Sequence, residues 1–218
     1  MTEEYRNELI SRISKLNGTS RLYIKRFFIT LALCLCAAFL GLLIYLLLPL
    51  DIEAEKNFFF SHFCSFFDGG SFFSAARDIL SFSQTDFVFL LLIMLSGYTM
   101  VPTVVSRALV LWRSAEIGYI TSAIYVFLIS ENSISFSKGA FALFVLCKVM
   151  ILLLLIFAAL ESEDFSYRFS GIFGRTNRPY FSISSASYLK KLLCVAGFSV
   201  IINTLYLIFQ AIQNYSPL

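Results

Sequence analysis

The sequence predicts an all-α integral membrane protein, a bundle of about five transmembrane helices with short amphipathic helices at the membrane surface. Of the 218 residues, 58% are hydrophobic and 14% are charged, whereas about a quarter of a soluble domain is charged. The mean hydropathy is +0.79, and the apolar residues form runs of roughly 20, the length that crosses a hydrocarbon core. Lipid is therefore the natural solvent for the exterior of this chain.

Five apolar runs are predicted to be transmembrane helices, and they define a membrane domain over residues 27–218. Their approximate limits are 27–48, 87–106, 108–130, 140–160 and 188–213. The first run lacks a small-residue cleavage site, so it is interpreted as an uncleaved span. Residues 1–26 form a basic segment whose apolar residues recur at helical spacing, which predicts a short amphipathic helix that ends at Asn17-Gly18.

The longest connection, 51–86, combines acidic residues with many of the 25 phenylalanines. Four of them have the spacing i, i+4, i+7 and i+8 of one helical face: Phe59, Phe63, Phe66 and Phe67. We expect this face, together with Asp68 and Asp78, to bind an extracytoplasmic protein, because a contiguous exposed apolar patch usually marks an interaction site. The alternative is that the phenylalanines rest on the lipid interface or cover the end of the bundle.

Two charged residues, Glu116 and Lys148, lie well away from the ends of predicted spans, where charges are costly and often functional. The depths of these residues differ by only several ångströms, so we expect an ion pair between them inside the bundle. Arg113 would extend its guanidinium group to the inner surface. The pair is interpreted as structural, and the alternative is a proton or ion relay in a transporter or permease subunit.

Three residues are expected to let membrane helices pack closely: Gly97, Pro102 and Gly118. Small residues allow two helix backbones to approach each other, which is their usual use in membrane bundles. Gly97 and Pro102 have a second interpretation, because they could loosen the second span and free a backbone carbonyl for an ion.

No catalytic or cofactor-binding motif is recognisable, so we expect a protein that is not an enzyme. His62 is the single histidine, and neither a Gly-x-Ser-x-Gly motif nor a phosphate-binding loop is present. The five cysteines are interpreted as small hydrophobic residues rather than as metal ligands. No cofactor, metal ion or nucleic acid is expected as a partner; the lipid bilayer is.

The distribution of basic residues predicts an N-terminus inside and a C-terminus outside. With that orientation, the inner segments hold thirteen lysines and arginines and the outer segments hold three. An excess of Lys and Arg in the inner loops is the rule that sets the orientation of membrane proteins.

Two motifs and the order of the spans resemble a known family. A glycine-containing break interrupts the phenylalanine-rich loop at Phe67-Asp68-Gly69-Gly70-Ser71-Phe72. A basic residue shortly precedes a Gly-aromatic pair in Arg113-Ser114-Ala115-Glu116-Ile117-Gly118-Tyr119. With its basic N-terminal segment, five spans and short outer C-terminus, the chain resembles the stage II sporulation protein M family of endospore-forming bacteria over nearly its whole length.

The resemblance implies a non-enzymatic scaffold in the bacterial cytoplasmic membrane. In that family, the membrane protein anchors a complex with two peptidoglycan hydrolases, a lytic transglycosylase and an amidase-endopeptidase, which drives engulfment of the forespore. The resemblance therefore implies cell-wall hydrolases as the extracytoplasmic partners of this chain.

The predicted orientation can be tested by labelling cysteines from outside the cell. We expect a membrane-impermeant maleimide to label Cys64 and the thiol introduced by Ser216→Cys, because both positions belong to outer segments. Thiols introduced by Ser14→Cys or Thr176→Cys should stay unlabelled until the membrane is permeabilised. Labelling of the Ser14→Cys variant in intact cells would contradict the orientation.

Overall fold

The computed structural model describes residues 3–48, 72–99, 101–131, 138–173 and 185–215. These residues form five α-helices and no strand: α1 Glu3–Leu47, α2 Phe72–Ser96, α3 Pro102–Glu131, α4 Lys138–Phe173 and α5 Ser185–Tyr215. Four of the helices contain a segment long and apolar enough to cross a membrane: Arg21–Leu47, Ile79–Ser96, Phe141–Tyr167 and Ser185–Phe209. The prediction of an all-helical, multi-pass membrane protein is confirmed at this level.

Helix α3 is not among these four, because Arg107, Arg113 and Glu116 interrupt its apolar sequence. It still contributes to the core of the bundle. Val110, Ile117 and Ile124 are buried and recur every seven residues, so one stripe of α3 faces the other helices.

The five described helices run alternately in opposite directions. Three contacts gather all of them at one end of the bundle, here called the turn end: Arg26–Asp164 at 3.6 Å, Lys191–Glu161 at 2.6 Å and Ser166–Thr99 at 2.9 Å. Helices α1, α3 and α5 begin at or pass through this end and lead away from it, whereas α2 and α4 lead toward it. Helices α1 and α3 are therefore parallel.

The C-terminus of α2 is held by side chains from α4 and α5. The last carbonyl groups of a helix have no partners within the helix. Here they accept hydrogen bonds from other helices: Ile93 from Ser162 at 3.0 Å and Met94 from Tyr188 at 3.1 Å. These donors add to the local donors of the same carbonyl groups, Oγ of Ser96 for Ile93 and the N–H of Gly97 for Met94, and so join the end of α2 to α4 and α5.

Helices α1 and α3 pack with their backbones in contact. A β-carbon added to Gly41 would overlap the carbonyl oxygen of Ala115, and one added to Gly118 would overlap that of Ala38. Lipid provides no hydrophobic drive between helices, so membrane helices associate partly through van der Waals contact. Small residues let the two backbones come close enough to make that contact.

Two helices are longer than the sequence predicted. Helix α1 continues through Asn17-Gly18, where a break was expected. A glycine within a helix costs only about 1 kcal/mol, and adding residues to an existing helix is easier than starting a new one. Helix α4 extends to Phe173, beyond the predicted end of the fourth span at residue 160.

The predicted loop 51–86 is shorter at its C-terminal side than expected. Helix α2 begins at Phe72, so residues 72–86 belong to one continuous helix. The backbone of Asp78 lies in this helix, and its side chain lies outside the described part of the structure. Asp86, assigned to the loop from sequence, is buried within the bundle.

The boundary between the second and third spans also differs from the prediction. The structure turns at Gly97–Thr99, ten residues before the connection expected near Arg107. Pro102 is the first residue of α3 rather than part of the second span. Proline suits this position because the first N–H groups of a helix have no intrahelical acceptor.

The phenylalanine face of the outer loop falls outside the described residues: Phe59, Phe63, Phe66, Phe67 and the neighbouring Asp68. The interfacial helices and the partner-binding surface expected there therefore stay predictions.

The contact between α1 and α3 predicts that Gly118→Ala destabilises the protein, because the added methyl group would overlap the Ala38 carbonyl. Overpacking of this kind costs about 1–3 kcal/mol. Gly197→Ala is a matched control, since nothing lies within 4 Å of a β-carbon at that helical position; it should stabilise by about 0.5–1 kcal/mol. Thermal unfolding in detergent measures both effects, and equal midpoints for the two variants would contradict the close contact.

Candidate functional site

The candidate site is a group of polar side chains inside the bundle, here called the central charge cluster: Asp86, Arg113, Glu116, Lys148 and Asn203. Asp86 is its centre and is 2% exposed. Its Oδ1 accepts hydrogen bonds from Nε and Nη2 of Arg113. Its Oδ2 accepts a hydrogen bond from Nδ2 of Asn203 at 3.1 Å and lies 3.5 Å from Nζ of Lys148. One carboxylate on α2 thus contacts α3, α4 and α5.

Helical periodicity places Asp86 among apolar core residues. Ser83, Asp86, Leu90 and Ile93 are all buried, and their spacing of three or four residues puts them on one face of α2. Asp86 therefore enters the interior because it shares a face with residues that must be buried there.

The two cations of the cluster also lie over aromatic rings. Nζ of Lys148 lies 4.3 Å from the ring centre of Phe82 and 5.8 Å from that of Phe144. The guanidinium carbon of Arg113 lies 5.6 Å from the ring centre of Phe89. A buried cation loses its hydration, and the electron-rich faces of these rings offset part of that loss.

Asn203 has its amide orientation fixed by the cluster. Its Nδ2 donates to Oγ of Ser83 at 3.1 Å as well as to Asp86, and a flipped amide would place its oxygen against the carboxylate. Oδ1 of Asn203 is buried and has no hydrogen-bond partner within the described residues; the same holds for Oγ of Ser199, one turn earlier. These two atoms are acceptors that a water molecule or a small hydrogen-bond donor could occupy.

The structure does not bring Glu116 and Lys148 together as the direct pair predicted from sequence. Oε2 of Glu116 lies 2.9 Å from Nη1 of Arg113, while Lys148 lies against Asp86. The side chain of Arg113 is 4% exposed, so it bridges the two carboxylates instead of extending to the inner surface. The physical reason is that Asp86, buried on α2, attracts both cations.

The sequence does contain a signal for this missing acid. Away from the ends of the predicted spans, Arg113 and Lys148 are basic and only Glu116 is acidic, and an unbalanced cation in lipid is costly. Asp86 directly precedes the predicted second span, and Glu131 and Glu161 directly follow the third and fourth, so the sequence offers three candidates for the missing acid and does not choose among them.

The three small residues singled out from sequence lie at different contacts. Gly118 meets Ala38 of α1, as described above. At Gly97, in the turn after α2, a β-carbon would lie 2.6 Å from the hydroxyl of Tyr188. Pro102 is buried at the first position of α3, so it begins a helix and does not loosen one.

A second group of ion pairs lies at the turn end and involves the acidic end of α4. Glu163, which is 1% exposed, receives two hydrogen bonds from Arg107, at 2.7 and 3.1 Å. Glu161 and Asp164 contact Lys191 and Arg26. The acidic residues of α4 thus connect it to α3, α5 and α1 at that end, although all of them lie beyond the predicted limit of the fourth span, 140–160.

Comparison with protein-family models, with curated proteins and with solved structures gives no match to this chain. In the described ranges, no group of three or more His, Cys, Asp or Glu side chains is placed to hold a metal ion. Within the central charge cluster, two cations and two carboxylates neutralise each other.

The pairing of Asp86 with Lys148 predicts a strong coupling between them. Asp86→Asn or Lys148→Met alone leaves one buried charge unbalanced, which should destabilise the bundle by about 3–5 kcal/mol. The double variant keeps the neutral Arg113–Glu116 pair and should recover much of that loss. Unfolding of all four chains in detergent measures the coupling energy.

The matched control for this cycle is Lys191→Met, which removes a half-exposed partner of Glu161. Its cost should stay below about 1 kcal/mol, as for other exposed pairs. Additive losses in the Asp86→Asn/Lys148→Met variant would show that the two residues act independently.

Proposed function

We propose that this protein is a non-enzymatic scaffold of the bacterial cytoplasmic membrane that anchors extracytoplasmic partners. The proposal includes five transmembrane helices, with the N-terminus inside and the C-terminus outside. The alternating directions of the helices support five crossings, because α3 runs parallel to α1 and contributes buried residues along its length. The basic residues Lys25, Arg26, Arg107, Lys190 and Lys191 lie at or near the turn end, which supports a cytoplasmic location for that end.

The observation that carries the scaffold proposal is the charge balance inside the bundle. Asp86 and Glu116 neutralise Arg113 and Lys148, and the resulting contacts tie α2, α3 and α4 together. Transporters commonly bind substrates and ions at helices that are broken near the middle of the membrane. In the described structure, each helix that contributes to the central charge cluster is continuous through it. This arrangement favours a fixed support over a moving gate.

The proposed partners follow from the resemblance to the stage II sporulation protein M family. They are cell-wall hydrolases that act during engulfment, and the proposed binding surface is the phenylalanine face of the outer loop with Asp68 and Asp78. A scaffold of this kind needs a stable membrane bundle and an outer surface, and it needs no catalytic group of its own.

A transporter or permease subunit is the second candidate function. One observation favours it: Lys148 and the unoccupied acceptor Oδ1 of Asn203 are both buried at the level of Asp86. Ionisable groups inside a membrane often mark a path for protons or ions. In this reading Glu116, at the partly exposed edge of the cluster, would be the group that exchanges protons with the path.

The two functions separate on the Asp86→Asn/Lys148→Met variant. If the protein is a scaffold, the tagged double variant should fold and should retain the same peptidoglycan hydrolases as the wild-type chain when purified from sporulating cells. Reconstituted wild-type vesicles should show no proton flux with an internal pH-sensitive dye.

Two outcomes would count against the scaffold proposal. Proton flux that the wild-type chain supports and the folded double variant lacks would establish the relay. A wild-type chain that retains no hydrolase would remove the proposed partners. Phe63→Ser/Phe67→Ser tests the binding surface separately, since it should accumulate normally and lose the hydrolases.

A further inference from the structure

The outer face of α3 carries two polar side chains that the bundle leaves partly exposed. Trp112, the only tryptophan in the chain, is 72% exposed. Glu116 follows four residues later, on the same side of the helix, and 33% of its side chain is exposed. The neighbouring positions Val105 and Ala108 on this face are also exposed. These four residues are here called the α3 outer face.

The depth of Glu116 makes its partial exposure costly. Arg107 pairs with Glu163 at the turn end and so marks a charged level of the bundle. At 1.5 Å per residue, Trp112 lies about 7 Å and Glu116 about 13 Å further along α3. A carboxylate in contact with hydrocarbon is unfavourable, and the short side chain of Glu116 cannot reach the membrane surface from this depth. Something other than lipid is expected to cover it.

The α3 outer face offers one hydrogen-bond donor and one acceptor that do not meet within a single chain. The indole N–H of Trp112 has no acceptor among the described residues, and buried or membrane-embedded indoles usually have one. Arg113 engages Oε2 of Glu116, which leaves Oε1 available to accept a hydrogen bond. The donor on Trp112 and the acceptor on Glu116 lie one helical turn apart on α3. A partner that presents an acceptor and a donor with the same spacing can therefore hydrogen-bond to both.

We propose that the α3 outer face binds the α3 outer face of a second copy of this chain, with the Trp112 of each copy donating to the Glu116 of the other. Two copies related by a twofold axis along the membrane normal place their α3 helices parallel and at equal depth. The long indole side chain spans the one-turn offset between residues 112 and 116. Ala108 lets the helices approach closely.

Charge balance favours this occupant over a partner helix that carries a lysine or arginine. The central charge cluster is neutral, so a basic partner would leave a net positive charge in the membrane. A second copy adds only neutral clusters, and each Glu116 keeps its own Arg113, which limits repulsion between the two carboxylates. The inference goes beyond the proposed function and requires only that α3 lies in the membrane.

Co-purification of two differently tagged copies tests the dimer. Wild-type copies expressed together should purify together in mild detergent. Trp112→Phe keeps the ring and removes the N–H donor, so dimerisation should weaken by about thirtyfold, the effect of two lost hydrogen bonds per dimer. Trp112→Tyr restores a donor and should recover part of the association. Phe39→Leu, on the exposed face of α1, is the matched control and should leave it unchanged.

Fluorescence of the single tryptophan provides the second measurement. Brominated phospholipids should quench Trp112 weakly in vesicles at high protein density and more strongly, by at least about twofold, on dilution with lipid as the dimer dissociates. Full quenching at every density would overturn the proposal, as would equal co-purification of the wild-type and Trp112→Phe chains. Protection in native membranes that disappears in the purified chain would also overturn it and would assign the face to a different protein. None of these outcomes depends on recruitment of hydrolases.

Discussion

The arrangement of four helices depends on the interactions of the Asp86 carboxylate. It lies on α2 and contacts Arg113 of α3, Lys148 of α4 and Asn203 of α5. A single buried charge in this environment would be strongly unfavourable, and only the simultaneous presence of the partners makes it tolerable. Because each partner has a fixed place on its helix, the relative height of α2, α3, α4 and α5 is set at this one level. A shift of α2, α3 or α4 by one turn would separate charges that lipid cannot solvate, and a shift of α5 would remove the amide donor of Asn203 from Asp86.

Helix α1 is held by different forces. It contributes no side chain to the central charge cluster. It is attached through backbone contact at Gly41 and Gly118, through the hydrogen bond from Ser114 to the carbonyl of Cys34, and through the ion pair of Arg26 with Asp164. Lipid provides no hydrophobic drive between helices, so close packing and polar contacts must do together what core burial does in a soluble protein. Polar contacts hold the interior helices at one level, whereas α1 at the edge is held by close backbone packing together with polar contacts.

These two modes of association bear on function. A neutral, mutually satisfied interior is suited to support and does not by itself provide a path. Within the described residues, the polar groups that remain incompletely used include Oδ1 of Asn203 and Oγ of Ser199 inside the bundle, and Trp112 and Glu116 on the outer face of α3. The first would serve transport chemistry, and the second would serve association with another chain. The scaffold proposal and the dimer proposal both place the activity of this protein at its surfaces.

The sequence by itself determined the class of the molecule, since apolar runs of membrane length can be read from hydropathy without any knowledge of neighbours. It also located α5 and the N-terminal side of α4 closely, because the apolar runs there are long enough to predict a membrane helix despite single polar residues within them. It misplaced Asp86, the α2–α3 turn and the acidic end of α4 for one reason. The residue type alone does not distinguish a polar side chain that is paired inside the bundle from one that faces water. Which carboxylate meets Lys148, and whether Pro102 interrupts a helix or starts one, depends on groups distant in the chain. Only the tertiary structure could decide these points, because burial of a charge is permitted by its partners and not by its own local sequence.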